Sequence, residues 1–161
     1  MIEIYDDFFP DKIQREVYDK LMEPHWQLRG GNSESNKFWH YDGLEKQEYF
    51  NDFLYQEICN KLDRNFSSVE RIYANGQTAG QCGDPHKDDG DYTFLYYPSP
   101  FWDVRWQGHL IFFNDKEEDE KIVLHKSNRG VLFSADQWHY ADAPERGYIG
   151  LRISLAYKLW M

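Results

Sequence analysis

From Ser67 onward the chain breaks into short apolar runs separated by turn residues, and that cadence restricts the fold more than any other feature. The runs are Ser68–Ala74, Gly83–Asp88, Thr93–Pro98, Gly108–Asn114, Lys121–Leu124, Gly130–Ser134, Gln137–Asp142 and Gly150–Lys158. Between them stand Asn75-Gly76, Asp89-Gly90, Pro98 to Pro100, Asn114-Asp115, Asn128 to Gly130 and Pro144 to Gly147. Runs this short, punctuated this regularly, predict an antiparallel sandwich or barrel. The acidic run Asp115 to Glu120 predicts a solvated hairpin tip.

The first third reads differently. Ile2 and Ile4 alternate with polar residues as in a short strand. Pro10 and Asp11 then open a helix to about Met22, with Ile13, Val17 and Leu21 on one face. Residues His25 to Lys37, rich in Gly, Asn and Ser, read as a loop. A second helix is expected from Gln47 or Asn51 to Leu62, burying Phe53, Leu54, Ile58 and Leu62. Both helices are expected to brace a sheet. No repeat or linker divides the 161 residues, so they predict one domain spanning residues 1–161.

Composition excludes several functions. The 18 Lys and Arg against 28 Asp and Glu leave a formal charge of −10, which disfavours nucleic-acid binding through a basic surface. No run approaches the roughly 18 apolar residues of a membrane span, and the acidic start Met1 to Asp7 lacks the pattern of a secretory signal. Cys59 and Cys82 form neither a disulfide framework nor a zinc motif. A cytoplasmic protein without nucleic-acid or membrane partners is expected.

One constellation carries chemistry. On an extended strand, residues two apart point the same way, so His86 and Asp88 can offer an imidazole and a carboxylate to one ion while Lys87 points away. Asp84, Asp89 and Asp91 are assigned to turns and solvation. A distant histidine, His139, would complete a two-histidine, one-carboxylate face, a set that suits non-haem Fe(II) with open positions. Arg152 follows in the last strand, where Leu151, Ile153 and Leu155 alternate with Arg152, Ser154 and Ala156. If the Arg152–Ser154 face lines a barrel, a buried guanidinium must be paired, and a dicarboxylate would pair it bidentately. If that face is outside, Arg152 is merely solvated. Thr93, Leu95 and Tyr97 also share a strand face, which makes Leu95 a candidate apolar wall of the same pocket.

These residues resemble the iron- and 2-oxoglutarate-dependent dioxygenases, in particular the prolyl-4-hydroxylase-like branch with its small bacterial and phage members. The likeness runs from about Arg71 to Lys158. In Arg71-Ile72-Tyr73-Ala74-Asn75-Gly76, Tyr73 matches a tyrosine that often faces the co-substrate. His86, Asp88 and His139 match the iron ligands. Thr93 to Tyr97, followed by Pro98 and Trp102, matches a strand whose last tyrosine, here Tyr97, hydrogen-bonds the far carboxylate of 2-oxoglutarate. Gly108-His109-Leu110 matches a strand that usually begins Gly-Gly-x-Leu, and Lys126 to Phe133 one that usually begins Pro-Lys-x-Gly-Arg. Arg152-Ile153-Ser154-Leu155 matches the carboxylate-binding strand. Gln107 departs from a usual glycine, His125 from a usual proline, and Asn128-Arg129-Gly130 from the usual Gly-Arg order.

The resemblance implies a mostly β, double-stranded β-helix (jelly-roll) with two supporting N-terminal helices. It implies Fe(II), 2-oxoglutarate and O2 as cofactor and co-substrates, and hydroxylation of an unactivated C–H bond with release of succinate and CO2. A prolyl residue of a peptide is the leading substrate, with a basic polypeptide or small cationic amino acid as the alternative that the acidic balance tolerates. A cupin-like metal-binding module without turnover would keep His86, Asp88 and His139 but need neither Arg152 nor Tyr97. In a purely structural β-sandwich the histidines would be incidental, and Tyr73 and Tyr97 ordinary core aromatics. Trp102, Trp106 and Trp138 either shape an entrance or pack the core, and His109 is expected to be a packed histidine.

Overall fold

The computed structural model describes residues 1–116 and 120–161. Half of the expected acidic hairpin tip, residues 117–119, lies outside the described residues.

Among the described residues, ten strands make two antiparallel sheets. The larger contains β1 (Ile2–Tyr5), β2 (Gln27–Gly30), β3 (Lys37–Tyr41), β4 (Ser68–Gln77), β5 (Tyr92–Tyr97), β8 (Arg129–Ser134) and β10 (Arg152–Trp160), in the order β1-β8-β5-β10-β4-β3-β2. The smaller contains β6 (Leu110–Phe113), β7 (Glu120–Val123) and β9 (Trp138–Ala141), in the order β7-β6-β9. Helices α1 (Asp11–Leu21) and α2 (Tyr55–Leu62) complete the fold. Among the described residues no helix is long and apolar enough to cross a membrane.

The period of two explains the layering. Along β10, Ile153, Leu155, Tyr157 and Leu159 face the helices and pack with Val17, Leu21, Leu54 and Ile58. The alternate residues Arg152, Ser154, Ala156 and Lys158 are equally buried on the opposite face. That second face meets the smaller sheet, where Leu110, Phe112 and Val123 pack with Tyr97, Val131 and Phe133. Each fully buried aliphatic or aromatic side chain contributes about 1.5–3 kcal/mol of transfer free energy, so the helix-facing side of β10 stabilises the sandwich. The polar members of the inner face therefore need a reason to be there.

Four local expectations are corrected. The stretch expected as a loop contains β2 and the first residue of β3, a hairpin at the sheet edge whose outer strand is mostly exposed and so lacks an apolar alternation. Asn75-Gly76 is no turn but lies inside β4, which runs on to Gln77. A Cβ on Gly76 would sit 2.9 Å from Leu151 Cδ1 and 3.0 Å from a Trp26 ring carbon, so the glycine there permits close packing. Residues 83–88 do not form a continuous strand. They touch β9 through one bridge, His86 with His139, flanked by Gly83 N–H to Ala141 O at 2.9 Å and Asp88 N–H to Ala135 O at 2.8 Å. Pro85, lacking an N–H, interrupts the ladder. Finally, a widened helical turn over Tyr49–Leu54 precedes α2, burying Phe50 and Leu54 and leaving Phe53 42% exposed.

The departures at Gln107 and Asn128 also find a reason. Both adopt positive φ, 56° each, the backbone that glycine usually supplies. Asn128 tolerates it and adds bonds that glycine lacks. Its Oδ1 accepts from Tyr96 Oη at 2.7 Å and Phe9 N–H at 3.1 Å, and its Nδ2 donates to Phe9 O at 2.7 Å. The segment leading into α1 is thereby tied to β5 and β8.

Candidate functional site

His86 and Asp88 come from the interrupted segment beside β9, and His139 from β9 itself. Their ligand atoms all lie within 4.8 Å of one another. His86 Nε2 is 3.3 Å from Asp88 Oδ1, and His139 Nε2 is 3.4 Å from Asp88 Oδ2. Each ring is oriented from behind: His86 Nδ1 lies 2.7 Å from Asp84 O and His139 Nδ1 lies 2.8 Å from Gln137 O. A backbone carbonyl accepts only an N–H, so both Nε2 lone pairs are directed at the shared space, as metal ligation requires. Burial would raise Asp88, but contact with His86 and the charges of Lys158 and His139 reverse this and hold it well below the usual carboxylate range. Burial pushes His139 down to about 4, against the attraction of Asp88.

The far oxygen of Asp88 is held from the floor of the site. Thr93 Oγ1 donates to Oδ2 at 2.6 Å, and the buried Lys158 ammonium forms an ion pair with the same oxygen. Lys158 Nζ also reaches Thr93 Oγ1 at 3.2 Å. Both residues sit on the inner face, paired across β10 and β5.

Arg152 also lies on the buried inner face, only 1% exposed. Its Nε donates to Gly108 O at 2.6 Å and its Nη1 to Gln77 Oε1 at 2.8 Å, while Nη2 has no partner. The guanidinium lies 5.4 Å from the Tyr97 ring centroid and interacts with the buried Tyr97 hydroxyl, which has no other partner. Burial lowers the Arg152 pKa and Tyr97 partly restores it, so a cation persists at neutral pH. Burial raises Tyr97 against the pull of Arg152, which keeps its hydroxyl a donor. Gly108, with φ 70°, makes room: a Cβ there would sit 2.9 Å from Arg152 Cδ. His125 packs tilted against Tyr97 (4.1 Å between ring centroids) and Trp102 (4.2 Å), fully buried and with both ring nitrogens unpartnered. A buried guanidinium with no carboxylate partner among the described residues is costly unless an anion completes it.

The other expected residues divide. Ser154 is buried on the same face, two residues from Arg152 and opposite Asn75. Leu95 is half-buried against the inter-sheet core. Tyr73 pairs across from Ala156, lines the cleft over His86 and Asp88, and carries the Arg71 guanidinium at 4.5 Å from its ring centroid. Trp102 and Trp106 meet Tyr148 in an aromatic cluster, and Trp138 stacks on Phe113. His109 is half-buried, its Nδ1 accepting from His125 N–H at 3.2 Å. Sequence reasoning passed over Lys158, Thr93, Gln77 and His125. The first was legible, because Lys158 continues the two-residue spacing of Arg152, Ser154 and Ala156.

Burial holds His125 well below its ordinary pKa of 6.5, as it does His139. The folded, metal-free protein then binds fewer protons than the unfolded chain below that value, so its stability is full above about pH 7 and falls as pH drops through 6.5. Urea midpoints at pH 7.5 and 5 are expected to differ by less in His125→Phe, which keeps the ring packing but cannot titrate. An undiminished difference would show that His125 is not the titrating group.

No family model matches this chain, and no curated protein matches it in sequence. Solved structures do match in shape. A Pseudomonas putida prolyl-4-hydroxylase aligns over 98% of this chain and 91% of its own, at 15% identity and a TM-score of 0.68. A Trichoplax adhaerens prolyl hydroxylase, in complex with a hypoxia inducible factor oxygen degradation domain peptide fragment, aligns over 98% and 82%, at 13% identity and 0.73. HygX from Streptomyces hygroscopicus, with nickel and 2-oxoglutarate bound, aligns over 97% and 81%, at 10% identity and 0.71. The chain therefore has the fold shared by 2-oxoglutarate–Fe(II) oxygenase structures, the prolyl hydroxylases among them.

Proposed function

We propose that residues 1–161 form one jelly-roll domain acting as an Fe(II)- and 2-oxoglutarate-dependent dioxygenase that hydroxylates an unactivated C–H bond. One observation carries this reading beyond a cupin-like metal binder: the buried Arg152 guanidinium, beside Tyr97 and with no carboxylate partner among the described residues, at the inner face that also carries the Asp88 clamp. A module that only bound metal would gain nothing from burying an incomplete anion site.

In this reading His86, Asp88 and His139 hold the iron, with the histidine tautomers set by the backbone carbonyls behind them. Thr93 and Lys158 hold Asp88 Oδ2 and so fix the orientation in which the carboxylate would meet the metal. Arg152 and Tyr97 grip the far carboxylate of 2-oxoglutarate, with His125 packed behind Tyr97. Ser154, Tyr73 and Leu95 form walls between the two ends. When bound, iron and 2-oxoglutarate supply the oxidation: one atom of O2 enters succinate as CO2 is lost, and the other enters the substrate C–H bond as a hydroxyl. The protein supplies orientation and a water-poor enclosure. The prolyl residue of a peptide is one candidate substrate, supported by the solved prolyl hydroxylases; the chemistry of the cleft favours another.

Iron-loaded protein in air is expected to convert 2-oxoglutarate to succinate, and His139→Ala to lose this. Equal succinate from both proteins, at background, would end the proposal.

A further inference from the structure

A cleft of about 270 Å³ opens over His86 and Asp88. Its walls come from the β2–β3 hairpin, β4 and the 83–89 segment, and none of Arg152, Tyr97 and His125 lines it. On the dioxygenase reading this cleft is the place for the molecule to be oxidised. Phe38 and Tyr73 are the only large apolar groups in its lining, which suits a polar occupant better than a pyrrolidine ring.

The charges of the cleft do not cancel among themselves. Arg29 pairs with Asp42, Lys87 with Asp115, and Asp88 with Lys158. Among the described residues, Asp84 and Asp89 have no cation within ion-pair distance. Asp84 Oδ1 accepts from Asn36 Nδ2, while its Oδ2 is buried without any partner. Two more buried atoms of the lining are unpartnered, His40 Nε2 and Asn75 Oδ1, on residues directly opposite each other across β3 and β4. His40 is 6% exposed, and its ring is hydrogen-bonded to the Arg29 backbone. Burial lowers its pKa, so near pH 7 it is neutral and has one nitrogen that accepts. A buried carboxylate oxygen and two neighbouring acceptors call for a ligand rich in N–H donors that carries positive charge.

We infer that the substrate of this site bears a guanidinium or ammonium group, received by Asp84 with His40 and Asn75, which brings its carbon chain over the metal ligands. Arg71 lines the same cleft with no carboxylate partner among the described residues, so it offers an anchor for a carboxylate at the other end. A basic amino acid, free or as a residue in a peptide, matches both. The inference rests on the dioxygenase reading for the role of the cleft, but its test does not depend on turnover.

Zinc-loaded protein with 2-oxoglutarate, which cannot turn over, is titrated calorimetrically with L-arginine, L-lysine, L-citrulline, N-acetyl-L-argininamide and a prolyl peptide. Citrulline keeps the shape of arginine and removes the charge. Arginine or lysine is expected to bind at least tenfold more tightly than citrulline, and Asp84→Asn to bring arginine and citrulline to within about twofold. Tighter binding of free arginine than of the capped form assigns the carboxylate to Arg71; the reverse assigns a residue within a peptide. Preference for the prolyl peptide, no binding of any cationic probe, or an arginine-to-citrulline ratio unchanged by Asp84→Asn would each overturn the inference. If 2-oxoglutarate itself fails to bind, the dioxygenase reading falls with it; if it binds and only the cationic probes fail, that reading stands.

Discussion

Replacing Arg152 with alanine is expected to weaken 2-oxoglutarate binding by about 2–5 kcal/mol, the usual loss when one partner of a buried, hydrogen-bonded charge pair is removed. That corresponds to roughly thirtyfold to several thousandfold in Kd. Iron affinity should change little, because Arg152 bonds Gly108 and Gln77 and no metal ligand. Calorimetry with each ligand separates the two effects. Equal loss of iron and 2-oxoglutarate would mean that the variant had disturbed the fold, or that Arg152 serves the metal instead. Tyr97→Phe should act in the same direction but more weakly, since it removes a neutral donor and leaves the cation.

The second large effect falls on stability. Asp88→Ala removes a proposed metal ligand and also strips the buried Lys158 of its counter-charge. An uncompensated buried charge costs about 3–5 kcal/mol, and for a chain of this length each kcal/mol lowers Tm by about 2–4 °C. The metal-free Asp88→Ala protein should therefore melt about 6–20 °C below the metal-free parent. Asp88→Ala combined with Lys158→Met removes both charges and should recover most of that loss while still binding no iron. Thermal melts of the parent, both single variants and the double variant measure the coupling. Additive effects would show that the Lys158–Asp88 contact carries no energy.

Seven of the eight sequence runs from Ser68 onward correspond to strands, because runs that alternate, or are apolar on both faces, can be buried only as sheet. His86, Asp88 and His139 were legible as a set, and the structure brings their ligand atoms together. The reason was only partly right: His86 and Asp88 converge through paired contacts to β9 and the turn before it, not through a continuous strand. Arg152 was legible because a charged residue repeats within an apolar, period-two strand. Lys158 carried the same signal, but a lysine near a strand end reads as a solvated tip. His125 looked like a turn irregularity where proline is usual, and only the packing between Tyr97 and Trp102 gives it a place.

Long-range pairing hid the rest. The β2–β3 hairpin has an exposed outer strand and no apolar alternation, so nothing local marks it as a wall of the cleft. Asp84 was assigned to solvation, yet folding brings Asn36 to one of its oxygens and buries the other. Asn75 carried a turn signal, and pairing with His40 and Ser154 overrides it. The proposed co-substrate end thus follows from residues close in sequence pattern, while the proposed substrate end emerges only once β3, β4 and the 83–89 segment meet.

The central claim is that the two-histidine, one-carboxylate set and the Arg152–Tyr97 pocket jointly chelate one metal with one 2-oxoglutarate. Anaerobic optical titration tests this most directly: Fe(II) is added to the purified protein, then 2-oxoglutarate. A weak visible charge-transfer band should appear only when both are present, saturate at one equivalent of each, and be absent from His139→Ala. Folded protein that develops no band, or a band that survives in His139→Ala, would contradict the account.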